Sequence, residues 1–279
     1  MALVSVDALK AMIATPHQLS YEGKILTAGT GKQDKFASIW NKQGDHIGAN
    51  PSTAVAPTSS TAGAWTKSDA GSGRQIILGG SSRQTNNTAG NAGFSGGGYS
   101  RRPLLIIDRV SHQGGLDGNV NTTQTTNFPT AALTRYTSGV GVMAAIETHA
   151  AIGATATNVT ISYTNTAGTS GHTGVLSNPS SSLNSIGVFI PIPLQAGDLG
   201  VKSVENVTLS AATGTVGNWG ITLFKVVGFI WADGDGTFGV LENAFWNEEI
   251  LDSACLQMLE WGLNGGSGSV MRHLTFAEC

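Results

Sequence analysis

Asn158-Val159-Thr160-Ile161-Ser162 and Asn206-Val207-Thr208-Leu209-Ser210 are near copies of each other, 48 positions apart, and each is followed within ten residues by Gly-Thr and a further Gly. Apolar residues at alternate positions put Val159 and Ile161 on one face and Thr160 and Ser162 on the other, with Val207 and Leu209 placed likewise. That is the pattern of a half-buried strand. Each unit therefore reads as a strand running into a hairpin. In a Thr-rich chain such a match also arises by chance, and one recurrence is too isolated to make a solenoid or a propeller.

The same character extends outward through residues 101–279. Candidate strands are Pro103–Val110, Gly139–Glu147, Asn158–Tyr163, Ile186–Ile192, Ser203–Ser210 and Gly220–Val227, divided by Gly114-Gly115, Ala167-Gly168 and Thr213-Gly214. Short, regularly punctuated strands predict a mainly β fold, a β-sandwich or jelly roll. One late helix is predicted over 248–261, where Ile250, Leu251, Ala254, Cys255, Met258 and Leu259 make one stripe between Glu248-Glu249 and Gly262. A closing strand follows at 269–276.

Residues 1–100 read differently, as a loop-rich N-terminal region. Ser5, Val6, Leu9 and Ile13 suggest a short capped helix, and Phe36, Ile39 and Trp40 a second one over 32–42. Residues 48–73 and 79–98 are rich in Gly, Ser, Thr, Asn and Ala. They are expected to be arms or loops that gain order against neighbouring subunits.

Composition narrows the function. Charged residues are 12% of the 279, against about 25% in typical soluble domains, while Gly reaches 38 residues. Turns explain the Gly but not the missing charge. A surface of Ser, Thr, Asn and Gly is desolvated more cheaply than one of ions, so the chain is expected to self-associate, with a trimer as the favoured homo-oligomer. A net charge of −3 leaves no basic surplus for phosphates, so no direct nucleic-acid role is expected. Residues 1–14 lack a basic leader, and 220–232 is too short for a bilayer and contains Lys225, so no membrane association is expected. The chain should be made and assembled in a cytoplasm. Cys255 and Cys279 have no zinc-ligand spacing, and a bridge between them is left open.

The catalytic motifs fail in context. Gly93-Phe94-Ser95-Gly96-Gly97 matches the nucleophile elbow, but it lies in a low-complexity stretch without the strand and helix that the elbow needs. Gly29-Thr30-Gly31-Lys32 lacks the first Gly and the final hydroxyl of a P-loop. Asp233-Gly234-Asp235-Gly236 lacks the remaining calcium ligands and reads as a tight turn. His17, His46, His112, His149, His172 and His273 are scattered and read as loop or strand-surface residues. No catalytic, cofactor-binding or metal-ligating residue is nominated.

Three runs carry a resemblance: Leu105–Gly118 (LIIDRVSHQGGLDG), Leu194–Ser210 (LQAGDLGVKSVENVTLS) and Gly217–Lys225 (GNWGITLFK). Together they resemble a family of tailed-bacteriophage virion structural proteins, and the likeness runs over nearly the whole chain. It implies a structural protein on the head, a capsid or decoration component or a neck component. The implied partners are its own copies and the major capsid protein or portal-proximal neck proteins, with no reaction and no cofactor. Asp108 and Arg109 are expected to pair or to cap the following turn. Two other readings stay open: a tail- or fibre-associated module binding host glycan on an aromatic platform from Trp65, Trp219 or Trp231, and a hydrolase using Ser95.

Overall fold

A computed structural model describes residues 18–26, 35–69, 71, 74–86, 102–128, 133–179, 183–232, 248–261 and 268–278. Its spine is one antiparallel pair of fifteen-residue strands, β4 (Arg102–Leu116) and β11 (Asn218–Ala232), in register from Trp219 opposite Leu116 to Ala232 opposite Arg102. On its other side β11 takes β6 (Val142–Ala150), which takes β9 (Val188–Pro191). Then β2 (Phe36–Ala37) and β13 (Leu256–Trp261) lead back to β4, closing a six-stranded barrel. Closure removes the unpaired edges that an open sheet would expose. Register shifts along β11 bend it around the barrel. At Gly220 a Cβ would lie 1.8 Å from the Gln113 carbonyl oxygen, so only glycine allows β11 this close to β4.

Two four-stranded sheets flank the barrel. One runs in the order β5 (Gln124–Thr125), β10 (Val201–Leu209), β7 (Val159–Asn165), β8 (His172–Leu176). Here the two near-copies of the sequence are direct partners, with Val207 opposite Ile161 and Leu209 opposite Val159. All four apolar side chains are buried against Val110, Ile146, Trp219 and Leu223 of the barrel wall. The other sheet runs β1 (Gln18–Leu26), β14 (Gly268–Glu278), β3 (Arg74–Asn86), β12 (Ile250–Leu251). Its core joins Ile77, Leu274 and Phe276 to Leu104, Ile106, Leu256 and Met258. A third cluster, Ile107, Ala145, Phe189, Phe224 and Leu259, fills the barrel lumen.

The mainly β expectation holds, and all six candidate strands from 103 to 227 overlap β4, β6, β7, β9, β10 and β11. The closing strand is β14. The sandwich or jelly roll is replaced by a barrel between two sheets. The late helix over 248–261 is corrected: β12 and β13 stand there, joined by a turn with Ser253 at φ 60°. The physical reason is two-sided burial. In β13, Leu256 and Met258 face the outer core while Gln257 and Leu259 face the lumen, so no polar alternation survives to mark a strand.

The N-terminal third is corrected as well. Phe36–Ala37 is a strand of the barrel and a turn follows at Trp40, so the helix over 32–42 is not formed in its described part. Within the expected loops, Arg74–Asn86 is a thirteen-residue strand paired along β14, and Trp65 is fully buried. The helix at Ser5–Ile13 lies outside the described residues. Among the described residues no helix is long and apolar enough to cross a membrane.

Candidate functional site

β4 runs Ile107-Asp108-Arg109, and the alternation of the strand sends the two charges to opposite faces. They neither pair nor cap a turn, which corrects that expectation. Arg109 enters the lumen, where its Nη2 donates to Glu147 Oε1 at 2.8 Å and its Nη1 to Thr222 Oγ1 at 3.0 Å. Nε and Nη2 also reach Gln257 Oε1, at 3.1 and 2.8 Å. Thr222 donates to Glu147 Oε2 at 2.8 Å, and Ser38 donates to Glu147 Oε1. Gln257 Nε2 donates to Ser38 at 2.5 Å. The guanidinium lies over the Trp40 ring, 4.3 Å from its centroid. Five strands or their ends contribute, so the network is a product of barrel closure.

The electrostatics follow from that arrangement. Burial by itself would raise the Glu147 carboxyl, but the Arg109 charge, with His149 and the Ser38 and Thr222 hydroxyls, holds it at about 2. His112 and His149, expected at the surface, are buried. Burial, reinforced by the Arg109 charge, lowers His112 to about 3. His149 falls to about 4 from burial against the opposing pull of Glu147. Ser38, Arg109, Glu147, Thr222 and Gln257 are all buried, so this cluster acts as an internal clamp.

On the outer face of β4, Asp108 receives a two-pronged bond from Arg135, Nε to Oδ2 and Nη2 to Oδ1, both at 2.8 Å. The Cys255 amide donates to Asp108 Oδ1 at 2.9 Å. Arg135 thereby staples the loop 133–141 to the barrel. Beside it Tyr136 sits at φ 51°, with the Lys225 ammonium 4.7 Å from its ring centroid. Lys225 also pairs with Glu248 at 2.5 Å. Tyr136, Thr137, Ser138, Lys225, Glu248, Glu249 and Leu251 line an open recess of about 460 Å³.

The Gln195–Gly200 turn of the resemblance lies next to that loop. Asp198 accepts from Tyr163 Oη at 2.5 Å and Asn165 Nδ2 at 2.9 Å, and lies 2.7 Å from His172 Nδ1. The Tyr163 hydroxyl above all, then Asn165 and His172, keeps the Asp198 carboxyl below its usual range. Tyr163 is pushed up to about 12 by burial and by the bond to Asp198. The Gln195 amide donates back to Tyr163 Oη at 2.9 Å. Beyond this clamp Leu199 stands 68% exposed.

The remaining sequence candidates are dispersed. Trp65 and Trp219 are fully buried, so neither supplies a glycan platform. The side chain of Trp231 lies outside the described residues, as do Ser95, Asp233–Gly236 and Gly29–Lys32. Cys255 is a buried free thiol, raised to about 12 by burial. His46 meets Thr66 at 2.6 Å on the surface. Sequence reasoning missed Glu147, Arg135 and Gln257. For Glu147 the available signal was a charge within an apolar strand, VMAAIETHA, whereas Arg135, in a loop, and Gln257, uncharged, carry no such mark.

No protein-family model matches the chain, and no curated protein matches it. Among solved structures it is similar to the infectious bursal disease virus VP2 subviral particle, at 12% identity and a TM-score of 0.24 over 95% of this chain and 80% of that one. It is also similar to the T=1 particles derived from infectious bursal virus, at 8% identity and a TM-score of 0.20 over 94% and 78%. A third, the Gx strain of infectious bursal disease virus, stands at 9% identity and 0.21 over 94% and 80%. These likenesses are weak and are to viral particles, not to a tailed phage.

Proposed function

We propose that this chain is a structural component of a tailed-phage virion, attached as an oligomer to the capsid lattice or at the head vertex or neck. It works through contacts and not through turnover. The observation that carries this reading is where the charge goes. Among the described residues eight charged side chains are buried, including Asp108, Arg109, Arg135 and Glu147, although such side chains are almost never buried unless paired. Burying them takes charge away from the described surface, which suits it to being covered by neighbours. The runs that carry the phage resemblance support the same reading. Leu105–Gly118 and Gly217–Lys225 build the β4–β11 spine, and Leu194–Ser210 supplies the clamped turn and β10.

Mass spectrometry of washed particles tests the proposal. The chain is expected at fixed stoichiometry, with cross-links from Lys35 or Lys202 to the major capsid protein or a portal-proximal neck protein. Links confined to distal tail or fibre proteins would favour the glycan-binding alternative, and absence from washed particles would remove both. Lys24 is a poor cross-linking site because it is buried.

A further inference from the structure

We propose that residues 49–56 form an acid-released strap: when His112 and His149 beneath it take up protons from solvent, the strap lifts from the barrel and exposes both rings. This goes beyond the virion reading above and does not depend on it.

The strap is thin and uncharged. Its sequence, Ala49-Asn50-Pro51-Ser52-Thr53-Ala54-Val55-Ala56, contains no ionisable side chain, and every residue in it is exposed or half-buried. Hydrogen bonds hold it down. The Pro51 carbonyl accepts from the Gly114 amide at 2.8 Å, Val55 and His112 exchange backbone bonds at 3.0 and 2.9 Å, and the Ala54 amide donates to Asn127 Oδ1 at 2.8 Å. At its start the Ala49 carbonyl accepts from Trp40 Nε1 at 2.9 Å. A surface segment held in this way opens at less cost than a packed strand.

Two buried rings lie beneath it. His112 stands edge-on to Trp40, with 5.3 Å between the ring centroids. A Cβ on Gly114 would lie 3.1 Å from Asn50 Cβ and 3.3 Å from His149 Cδ2, so the strap and His149 meet at one point of β4. Among the described residues neither ring nitrogen of His112, nor Nδ1 of His149, has a hydrogen-bond partner. The Ala49 carbonyl favours a proton on His112 only weakly, since its bond goes to Trp40. The charged groups facing the rings are Arg109 of β4 and Glu147 of β6. Arg109 opposes a proton on either ring, and His149 opposes one on His112. Glu147 favours both, but its carboxylate is already matched by Arg109, Ser38 and Thr222. Covered, the rings take a proton only at about 3 and about 4; released to water, they take it at their ordinary 6.5. Below 6.5 each proton taken up therefore favours the open strap.

Hydrogen exchange of the full chain at about pH 7 and about pH 5, corrected for the intrinsic exchange rate, tests this. The Val55 amide should open about 20-fold more at the lower pH if one proton is taken up, and about 500-fold more if both rings take one. That opening should respond little to urea, because lifting a strap exposes little surface. The Trp65 amide, bonded to Leu256 in β13, should exchange with the full urea dependence of unfolding. His112→Gln with His149→Gln, checked for folding by far-UV circular dichroism at about pH 7, should remove the rise at Val55. The wild-type measurement stands without that variant. A rise of less than about 20-fold at Val55, or the same urea dependence at Val55 and Trp65, would overturn the strap.

Discussion

Arg109 and Glu147 neutralise each other inside a lumen from which solvent is excluded, so removing one leaves the other's charge buried alone. Glu147→Gln should cost about 3–5 kcal/mol by urea denaturation. The double variant Arg109→Met, Glu147→Leu should cost clearly less than the two single changes added together, because both charges leave at once. The same residues set an acid limit. Glu147 titrates lower in the folded chain, at about 2, than its ordinary 4.5, so its contribution is present above 4.5 and lost as pH falls toward 2. His112 and His149 are lowered from 6.5 to about 3 and about 4, so below 6.5 the unfolded chain takes up protons first and stability drops as pH falls. All three act in one direction. The urea midpoint should therefore be level above about pH 7 and fall progressively below about pH 6.5. A midpoint unchanged down to about pH 5 would contradict the burial of the two histidines.

Among the elements, β13 separates most clearly from its sequence expectation. As a strand buried on both faces it predicts that Met258→Ala costs about 2–5 kcal/mol, while Leu251→Ala, at a half-buried position, costs less. Equal shifts of the denaturation midpoint would mean that the two positions are buried alike. The N-terminal segments carry their own test. The Trp65 amide donates to the Leu256 carbonyl, and Val55 and His112 exchange backbone bonds. Hydrogen exchange on the free chain should already show protection at Val55 and Trp65. Fast exchange there, with protection appearing only in particles, would restore the expectation of arms that order on assembly.

At the scale of the whole molecule, β4 and β11 belong to all three cores. Val110, Trp219 and Leu223 pack toward one sheet, Leu104, Ile106 and Val227 toward the other, and Ile107 and Phe224 into the lumen. Neither sheet's core can be lost without exposing the spine, so tryptophan fluorescence and far-UV circular dichroism should report one coincident unfolding transition. An earlier separate step in either signal would show that one flanking sheet melts alone. What the sequence determined by itself was local: β-branched alternation marked the strands, Ala167-Gly168 and Thr213-Gly214 marked breaks between them while the expected turn at Gly114-Gly115 proved to lie inside β4, and the near-copies at 158 and 206 placed Val159, Ile161, Val207 and Leu209 on a buried face. The tertiary structure decided the rest. Closure of a barrel depends on which strands meet, and strand pairing between distant segments such as Phe36–Ala37 and Leu256–Trp261 leaves no mark in either segment's own pattern. Once closed, the barrel gave β13 two buried faces and turned Arg109, Glu147 and Gln257, 148 positions apart at the extremes, into one clamp. An isolated charge in an apolar strand shows in the sequence, but its partner is chosen only when the lumen forms around it.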